Sequence, residues 1–329
     1  MDRVFSGIQP TGDIHIGNYV GALRQWVSLI EHYECIYSVV DYHAITVEYE
    51  PEHMAERTFN TALILIACGL DPEQCHLQVQ SHVQQHTELA WIFNSVTPVG
   101  EVERMTQFKD KSKQHRENVN MGLMDYPVLQ AADILVYKAA FVPVGEDQVQ
   151  HIELSREIAR KFNARFSDVF PEPQTILSCA PRIMGTDGKS KMSKTLNNYI
   201  GILEEESAIW EKLRTAVTDV ARVRRTDPGN PEICNIYTMH RAFSPEEVVA
   251  EVDKGCRSAS MGCIDCKRIL FKNMMAELTP IREKALSLRE HPDYIMNALR
   301  KGAKECTRMA KETMEEVHAT LGLLKPLTS

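Results

Sequence analysis

Four of the nine cysteines in this chain are close together in the sequence and have the spacing of metal ligands. They are Cys234, Cys256, Cys263 and Cys266, in the pattern Cys-x21-Cys-x6-Cys-x2-Cys. The closing Cys-Ile-Asp-Cys pair brings two thiolates to one metal centre without strain. A zinc ribbon has two such close pairs, whereas here one close pair joins two single cysteines. The residues therefore predict a four-thiolate site and leave both zinc and a 4Fe-4S cluster open.

A loop near the N-terminus has the groups of a phosphate site. It spans residues 7–17 and ends in the sequence HIGN at the predicted start of a helix, where free backbone N–H groups and the helix dipole favour an anion. A glycine there allows close approach, and side-chain donors are near it in the sequence. The residues concerned are Gln9, Thr11, His15, Gly17 and Asn18. Taken alone the pattern is weak, because a histidine before a glycine is more often a turn residue.

A second loop, residues 185–195, combines glycines, hydroxyls and lysines in the sequence GTDGKSKMSKT. Such a loop suits closure over a polyphosphate, and the alternative is an ordinary solvated basic loop. HIGN and KMSKT, in this order and at this distance, resemble the HIGH and KMSKS motifs of class I aminoacyl-tRNA synthetases. The presence of both motifs favours a nucleotide site over two unrelated loops.

Longer segments narrow the resemblance to one family, and the similarity runs essentially end to end. FSGIQPTG at 5–12, DYHAIT at 41–46, YPVLQAADIL at 126–135 and VPVGEDQVQHIEL at 142–154 are similar to tryptophanyl-tRNA synthetases. The cysteine pattern, with DVARVRRTDPGNP at 219–231, resembles the subgroup that carries a 4Fe-4S cluster in its anticodon-binding region. This resemblance, and not the spacing, favours the cluster over zinc.

The resemblance implies that ATP activates L-tryptophan to tryptophanyl-AMP, which is then transferred to the 3′ end of tRNA(Trp). Catalysis would depend on positioning and on charge stabilisation rather than on a covalent intermediate. The residues assigned to the nucleotide and its phosphates, with Mg²⁺, are Gln9, Pro10, Thr11, His15, Gly17, Asn18, Gly145, Glu146, Asp147, Gln148, Ile183, Lys191, Met192, Ser193, Lys194 and Thr195. The catalytic residues among them are His15, Asn18, Lys191, Lys194 and Thr195.

Asp133 is the residue predicted to recognise the indole ring. A carboxylate accepts the indole N–H, and phenylalanine would leave it unpaired and desolvated. The alternative is a helix aspartate that faces solvent, but the apolar residues on both sides of Asp133 indicate burial. The other residues assigned to the amino acid, by resemblance alone, are Phe5, His43, Tyr126, Gln130, Val142 and Val144. Gln130 stands where many bacterial members of the family have methionine.

The elements that must position these residues are those of an α/β fold. Apolar runs that alternate with helical patterns predict a Rossmann-like, doubly wound parallel sheet in a catalytic domain, residues 1–190. Beyond about Leu196 the pattern is helical, which predicts a C-terminal helical domain at 191–329 whose last segment, 310–329, packs back on the first domain. The individual predictions are strands at Val4–Ser6, Cys35–Val40 and Leu77–Gln80, a helix at Pro51–Cys68, a helix from Asp147, and one helix containing Val20, Leu23, Val27 and Ile30.

Composition limits the remaining possibilities. A chain with 43% hydrophobic and 25% charged residues has an ordinary globular core. The net charge of −8 argues against a nonspecific nucleic-acid coat, although Arg222, Arg224 and Arg225 form a local basic segment. Cysteines without a secretory signal or an apolar spanning run are typical of the cytoplasm. The expected partners are L-tryptophan, tRNA(Trp) and a second copy of the chain, without a membrane.

Two other functions remain open from the sequence. A tyrosyl-tRNA synthetase shares the phosphate loops, but the GIQPTG, GEDQ and 126–135 segments count against it. The second is a non-catalytic iron-sulfur protein that binds RNA or senses redox state and has kept the fold. Two intact nucleotide motifs count against this second function.

Overall fold

The computed structural model describes residues 1–106, 109, 119–178, 180–193 and 196–324, with the backbone alone at residue 147. The chain divides into two compact units. Unit 1 contains Met1–Thr11, Trp26–Ser178 and Pro292–Ser329, and unit 2 contains Gly12–Gln25 and Cys179–His291. The predicted domains, 1–190 and 191–329, are continuous stretches, whereas each compact unit is discontinuous.

Unit 1 is built on a five-stranded, wholly parallel sheet in the order β3-β2-β1-β4-β5. The strands are β1 (Arg3–Ile8), β2 (Glu34–Val39), β3 (His76–Val79), β4 (Phe141–Val144) and β5 (Gln174–Leu177). The predicted doubly wound parallel sheet is therefore confirmed. The strand order reverses between β1 and β4, and ligands of such sheets bind in the crevice beyond the carboxyl ends of the strands at this point.

Helices follow the strands in unit 1 and make up most of the regular structure of unit 2. In chain order they are α1 (Ile16–Asn18), α2 (Arg24–Leu29), α3 (Asp41–Ala44), α4 (Pro51–Ala67), α5 (Gln85–Asn94), α6 (Val99–Glu103), α7 (Met121–Leu135), α8 (Val149–Arg165), α9 (Glu206–Thr215), α10 (Asn235–Phe243), α11 (Glu246–Arg257), α12 (Cys263–Arg289) and α13 (Pro292–Leu321). The predicted C-terminal helical region is confirmed by α9 to α12. No helix in the described part of the chain has the length and apolar character needed to cross a bilayer.

The helix predicted after the first loop is interrupted. A π-helical turn, Tyr19–Leu23, separates α1 from α2, and its backbone bond runs from Arg24 N to Tyr19 O. The wider turn accommodates one extra residue, which periodicity alone does not reveal. Within unit 2, the side chain of Arg24 forms a bidentate pair with Glu277 of α12, with N–O distances of 2.5 and 2.8 Å. The segment that carries HIGN is thereby joined to a later helix of the same unit.

The last helix completes the core of unit 1. Its apolar stripe packs with α5, α7 and α8, and it includes Cys306, Met309, Ala310, Met314 and Val317. At Gly302 the helix backbone lies against β3, so that an added Cβ would be 1.9 Å from the carbonyl oxygen of Leu77. A larger residue at position 302 would therefore displace the helix from the strand.

Candidate functional site

A cavity of about 310 Å³ opens in unit 1 where the strand order reverses. Its volume is in the range of small-molecule sites, roughly 300–1,000 Å³. It is lined by every residue that the sequence assigned to the amino acid: Phe5, His43, Tyr126, Gln130, Asp133, Val142 and Val144. Gln9 and Gln148, assigned to the nucleotide, also line it. The structure thus brings together residues from β1, α3, α7 and β4 that are far apart in the sequence.

Asp133 is the most constrained polar residue of this cavity. Its side chain is 1% exposed, and three side chains surround the carboxylate. His43 Nε2 lies 2.7 Å from Oδ2, while His86 Nδ1 and Gln80 Nε2 lie 2.7 and 2.8 Å from Oδ1. A carboxylate has about four acceptor positions, so these contacts leave roughly one, on Oδ2. A single N–H donor from a ligand matches that remaining position.

The histidines keep Asp133 ionised although it is buried. Burial alone favours the neutral acid, but the charge and hydrogen bonds of His43 and His86 outweigh this effect and hold the pKa of the Asp133 carboxyl below its ordinary value. His86 Nε2 in turn lies 2.8 Å from Tyr137 Oη. The network therefore continues from the cavity into the core of unit 1.

Tyr126 forms another edge of the cavity. Its hydroxyl lies 3.1 Å from His151 Nε2, and its ring meets that of His43 edge to face, with centroids 6.3 Å apart. Burial raises the pKa of Tyr126 to about 12, so the hydroxyl keeps its proton. Phe5 and Val142 are 3% and 2% exposed and give the cavity its apolar walls.

In unit 2, the HIGN segment forms a reciprocal cap at the start of α1. His15 Nδ1 accepts a bond from Asn18 N at 3.3 Å, and Asn18 Oδ1 accepts one from His15 N at 3.2 Å. The bond to Nδ1 implies that Nε2 carries the imidazole proton. Burial lowers the pKa of His15 to about 4, so the ring is neutral near pH 7. His15 is therefore a neutral donor at Nε2, and Asn18 keeps its Nδ2 donors.

In unit 2, a short antiparallel pairing joins the HIGN segment to residues 200–202, which follow the second loop. His15 pairs with Gly201, Ile16 N donates to Ile200 O at 2.9 Å, and Ile202 N donates to Ile14 O at 3.1 Å. Met192 is close to the other motif, because an added Cβ on Gly17 would lie 3.9 Å from Met192 Sδ. The HIGN segment is therefore close to Met192 of the second loop and is paired with the backbone that follows this loop.

Asn198 organises the second loop from the inside. It is 3% exposed, its Oδ1 accepts from Ser193 N at 2.8 Å, and its Nδ2 donates to Lys191 O and Asp187 Oδ2 at 3.1 and 3.0 Å. Its backbone carbonyl accepts from Thr186 N at 2.8 Å. Gly188, with φ of +67°, makes the turn between the two arms of the loop. The side chain and the backbone carbonyl of Asn198 together therefore contact both arms of the loop.

The other predicted nucleotide residues are divided between the units. Gln9, Pro10 and Thr11 follow β1, and Gly145, Glu146 and Gln148 follow β4, all in unit 1. Ile183, 6% exposed, lies in unit 2 with Lys191, Met192 and Ser193. Lys194, Thr195 and the side chain of Asp147 lie outside the described residues.

The four predicted metal ligands lie at the ends of three helices of unit 2. Cys234 precedes α10, Cys256 is near the end of α11, and Cys263 and Cys266 are in the first turn of α12. Among the described residues, no group of three or more His, Cys, Asp or Glu side chains is arranged to hold a metal ion. Burial, followed by the charges of the other three cysteines, raises the pKa of Cys266 to about 12.

Arg222 belongs to this cysteine segment rather than to an exposed basic patch. Its Nη1 lies 3.7 Å from Cys263 Sγ, and its Nη2 donates to the carbonyls of Arg225 and Met261 at 2.8 and 2.9 Å. Arg224 and Arg225 are exposed. The three arginines, grouped together by the sequence, therefore have different surroundings.

Sequence reasoning missed four residues that organise the site: Gln80, His86, Asn198 and Asn235. Each is a buried polar side chain. Gln80, His86 and Asn235 have partners 53, 47 and 50 positions away, whereas the partners of Asn198 are in the neighbouring loop. Such residues carry no motif of their own, and only the apolar residues around them could have indicated that they are inside.

Comparison with known proteins agrees with this geometry. The family described as tRNA synthetases class I (W and Y) matches residues 2–279. A tryptophan–tRNA ligase of Deinococcus radiodurans is 55% identical over 99% of this chain and 100% of its own length, and one of Thermotoga maritima is 46% identical over 98% and 99%. A tryptophanyl-tRNA synthetase of Campylobacter jejuni, solved with ADP and tryptophan, covers 98% of this chain and all of its own, with 34% identity and a TM-score of 0.86. The chain belongs to the class I tRNA synthetase family of the tryptophan and tyrosine enzymes.

Proposed function

We propose that this chain is a tryptophan–tRNA ligase, which activates L-tryptophan with ATP and transfers it to the 3′ end of tRNA(Trp). The observation that carries the proposal is the buried Asp133 carboxylate, with one acceptor position left beside an apolar cavity. An indole N–H satisfies that position, whereas a phenyl ring leaves a buried charge without its last partner. The near full-length similarity to curated tryptophan–tRNA ligases supports the same conclusion.

The activation step requires positioning rather than a nucleophile from the protein. The tryptophan carboxylate attacks the α-phosphate of ATP, and pyrophosphate leaves. The neutral His15 donates from Nε2 where negative charge develops. Lys191, Ser193, Lys194 and Thr195 are assigned to the β- and γ-phosphates. Mg²⁺, held mainly by the phosphates, would share their charge.

Tryptophan-dependent exchange of pyrophosphate with ATP tests this function, with tyrosine as the competing amino acid. We expect exchange with tryptophan that tyrosine does not inhibit at equal concentration. Exchange driven by tyrosine would instead identify a tyrosine enzyme with the same loops. Absence of exchange with either amino acid would contradict the ligase function and favour the non-catalytic alternative.

We further propose that the four cysteines hold a 4Fe-4S cluster, as the resemblance of residues 219–266 to the cluster-containing subgroup implies. Four thiolates are the donor set of such a cluster. A single zinc ion, with bonds of about 2.3 Å in a compact tetrahedron, is the alternative that four thiolates also allow. A cluster is larger, because each thiolate binds a different iron.

Positive charge near the sulphurs also suits an anionic cluster. Arg222 is next to Cys263, and its buried Nε has no hydrogen-bond partner among the described residues. The cluster would link the starts of α10 and α12 to the end of α11 and so stabilise unit 2. It takes no part in amino-acid activation in this proposal.

Iron, sulfide and zinc analysis of anaerobically purified protein tests the cluster. We expect four irons and four sulfides per chain, lost in the Cys263→Ser variant and retained in Cys68→Ser, which changes a cysteine of unit 1. One zinc per chain, or no metal under these conditions, would contradict the proposal. The exchange assay on the same samples reports the ligase function separately.

We also propose that the enzyme acts in the cytoplasm as a homodimer and binds tRNA(Trp) partly through unit 2. Unit 1 exposes large apolar side chains that a second copy could cover, among them Trp91 and Met121, at 78% and 74% exposure. Equilibrium sedimentation should give twice the chain mass, and a monomer would contradict the dimer.

For the tRNA contact, Arg224→Ala should reduce charging without reducing pyrophosphate exchange. Equal loss of both reactions would contradict a role limited to tRNA.

A further inference from the structure

The second phosphate loop is held at its base by a side chain that lies outside the loop. Asn235 is 8% exposed, and its Oδ1 accepts from Met184 N at 3.2 Å. Its Nδ2 donates to Met184 O at 3.1 Å and to Gly185 O at 2.9 Å. Three bonds from one buried amide thus fix the backbone immediately before the loop turns. Asn198 fixes the loop from within, and Asn235 fixes it to the helical part of unit 2.

Asn235 is also the neighbour of a predicted cluster ligand. Cys234 is the N-cap residue of α10, Asn235 is the first residue of that helix, and Thr238 N donates to Cys234 O at 3.1 Å. The same helical turn therefore carries the cysteine thiol on one residue and the loop anchor on the next. A displacement of Cys234 would displace the anchor.

A second series of contacts leads from the cysteine segment to the same loop. Lys267 follows Cys266, is 5% exposed, and donates from Nζ to Arg214 O at 2.9 Å and to Ala216 O at 2.6 Å. The next residue along, Val217, donates from its backbone N to Thr186 O at 2.8 Å. Carbonyls at the end of a helix have no partner within that helix, so the Lys267 ammonium fixes the end of α9 and the segment that touches the loop.

We propose that Asn235 is a positioning residue for the phosphate loop and that, together with Lys267, it makes ATP binding depend on the order of the four-cysteine segment. The inference rests on the proposed role of the loop in binding ATP phosphates. Loops that close over phosphates move relative to fixed anchor points, and the anchors determine the open and closed positions. Here the anchors are side chains adjacent to Cys234 and Cys266. The cysteine site would then act on the first step of the reaction without touching its substrates.

Steady-state pyrophosphate exchange with Asn235→Ala tests the positioning role. We expect the KM for ATP to rise about tenfold, because three hydrogen bonds are lost, while the KM for tryptophan changes less than about twofold. Lys267→Met should raise the KM for ATP in the same direction. Asn273→Ala is the matched control, since its amide donates to Ser244 Oγ at 2.9 Å within unit 2 and forms no hydrogen bond to the described residues of the loop. An unchanged KM for ATP in both Asn235→Ala and Lys267→Met, or an equal rise for both substrates, would overturn the inference.

Hydrogen exchange provides a measurement that does not depend on catalysis. In the absence of substrates, the amides of residues 184–193 should exchange faster in Asn235→Ala than in the wild type or in Asn273→Ala. Removal of iron from the wild type should increase the hydrogen-exchange rate of the same amides. In Asn235→Ala, removal of iron should increase this rate little further, because the hydrogen bonds of Asn235 are already lost. Iron removal that leaves these amides unchanged would contradict the link to the cysteine segment.

The outcomes separate this inference from the proposals on which it rests. Wild-type protein without tryptophan-dependent exchange would refute the ligase function. Pyrophosphate exchange by wild-type protein that contains no iron would refute the cluster. The positioning role of Asn235 would then be tested by the KM for ATP of Asn235→Ala. If the wild type shows the expected pyrophosphate exchange and iron content, but Asn235→Ala and Lys267→Met leave the KM for ATP unchanged, only this inference is refuted.

Discussion

The amino-acid cavity of unit 1 and the phosphate loops of unit 2 are organised in different ways. In the cavity, the contacts are between side chains: His43, His86 and Gln80 form hydrogen bonds with the buried Asp133 carboxylate. In the loops, two asparagine side chains hold backbone groups: Asn198 Oδ1 accepts from Ser193 N, and Asn235 Nδ2 donates to Gly185 O. The cavity cannot rearrange without leaving a buried charge unpaired, whereas a loop can exchange its hydrogen bonds as it closes. Under the proposed function, the amino acid would therefore bind at a rigid site and ATP at a movable one.

The largest expected effect comes from the rigid site. In Asp133→Ala, the indole N–H loses its acceptor and two buried histidines lose their common partner. We expect kcat/KM for tryptophan in pyrophosphate exchange to fall on the order of a thousandfold, with a much smaller change in the KM for ATP.

Asp125→Asn is the matched control for this change. Asp125 lies on the same helix, α7, is also partly buried, and accepts a bond from Asn94 Nδ2 at 3.0 Å. Its substitution should leave the kinetics for tryptophan nearly unchanged. Retention of tryptophan-dependent exchange by Asp133→Ala would remove the distinction between the two regions.

The corresponding change in the movable site is Asn198→Ala. It removes the bonds to Ser193 N, Lys191 O and Asp187 Oδ2, so the loop loses its internal order. We expect the KM for ATP to rise about tenfold to thirtyfold, with the KM for tryptophan within about twofold of the wild type. Comparable increases for the two substrates would mean that the loop and the cavity do not act separately.

A smaller effect should follow from substitutions of His86. Asparagine can reproduce the Nδ1 contact with Asp133, while glutamine can reproduce only the Nε2 contact with Tyr137. We expect the KM for tryptophan to rise about tenfold in His86→Gln and about twofold in His86→Asn. If the two variants were equally impaired, the role of His86 would be general packing and not the positioning of Asp133.

The smallest effect is a change of stability with pH. The pKa of His15 is lowered from 6.5 to about 4 in the folded protein, so its neutral ring contributes fully to stability above pH 6.5, and this contribution is lost as the pH falls toward 4. In His15→Gln, the glutamine side chain has no group that titrates in this pH range. Denaturant unfolding of both proteins at about pH 7.5 and about pH 4.5 should show that the wild type loses more stability than the variant. If the free energies of unfolding of wild type and His15→Gln differed by the same amount at both pH values, His15 would not be buried as a neutral donor.

The sequence was sufficient for the parallel sheet and for the residues around the cavity, but not for the groups that orient them. The motifs that contain Phe5, His43, Asp133 and Val142 are long and distinctive, so the cavity lining followed from them. Gln80 and His86 lie between motifs, and their roles depend on contacts with a residue about fifty positions away. The helix predicted after HIGN is present over residues 16–29, but the π-helical turn within it was not predicted, because the apolar spacing does not reveal it. The roles of individual residues remain predictions.

The placement of α13 has a consequence for synthesis of the protein on the ribosome. Met309, Met314 and Val317 complete the apolar core of unit 1, although most of that unit is translated before residue 178. The nascent chain must therefore produce nearly all of unit 2 before the core of unit 1 can close. Until then unit 1 exposes apolar surface of the kind that chaperones bind and that leads to aggregation. Premature termination shortly before the end of the chain would leave both phosphate motifs intact and yet yield a poorly folded product.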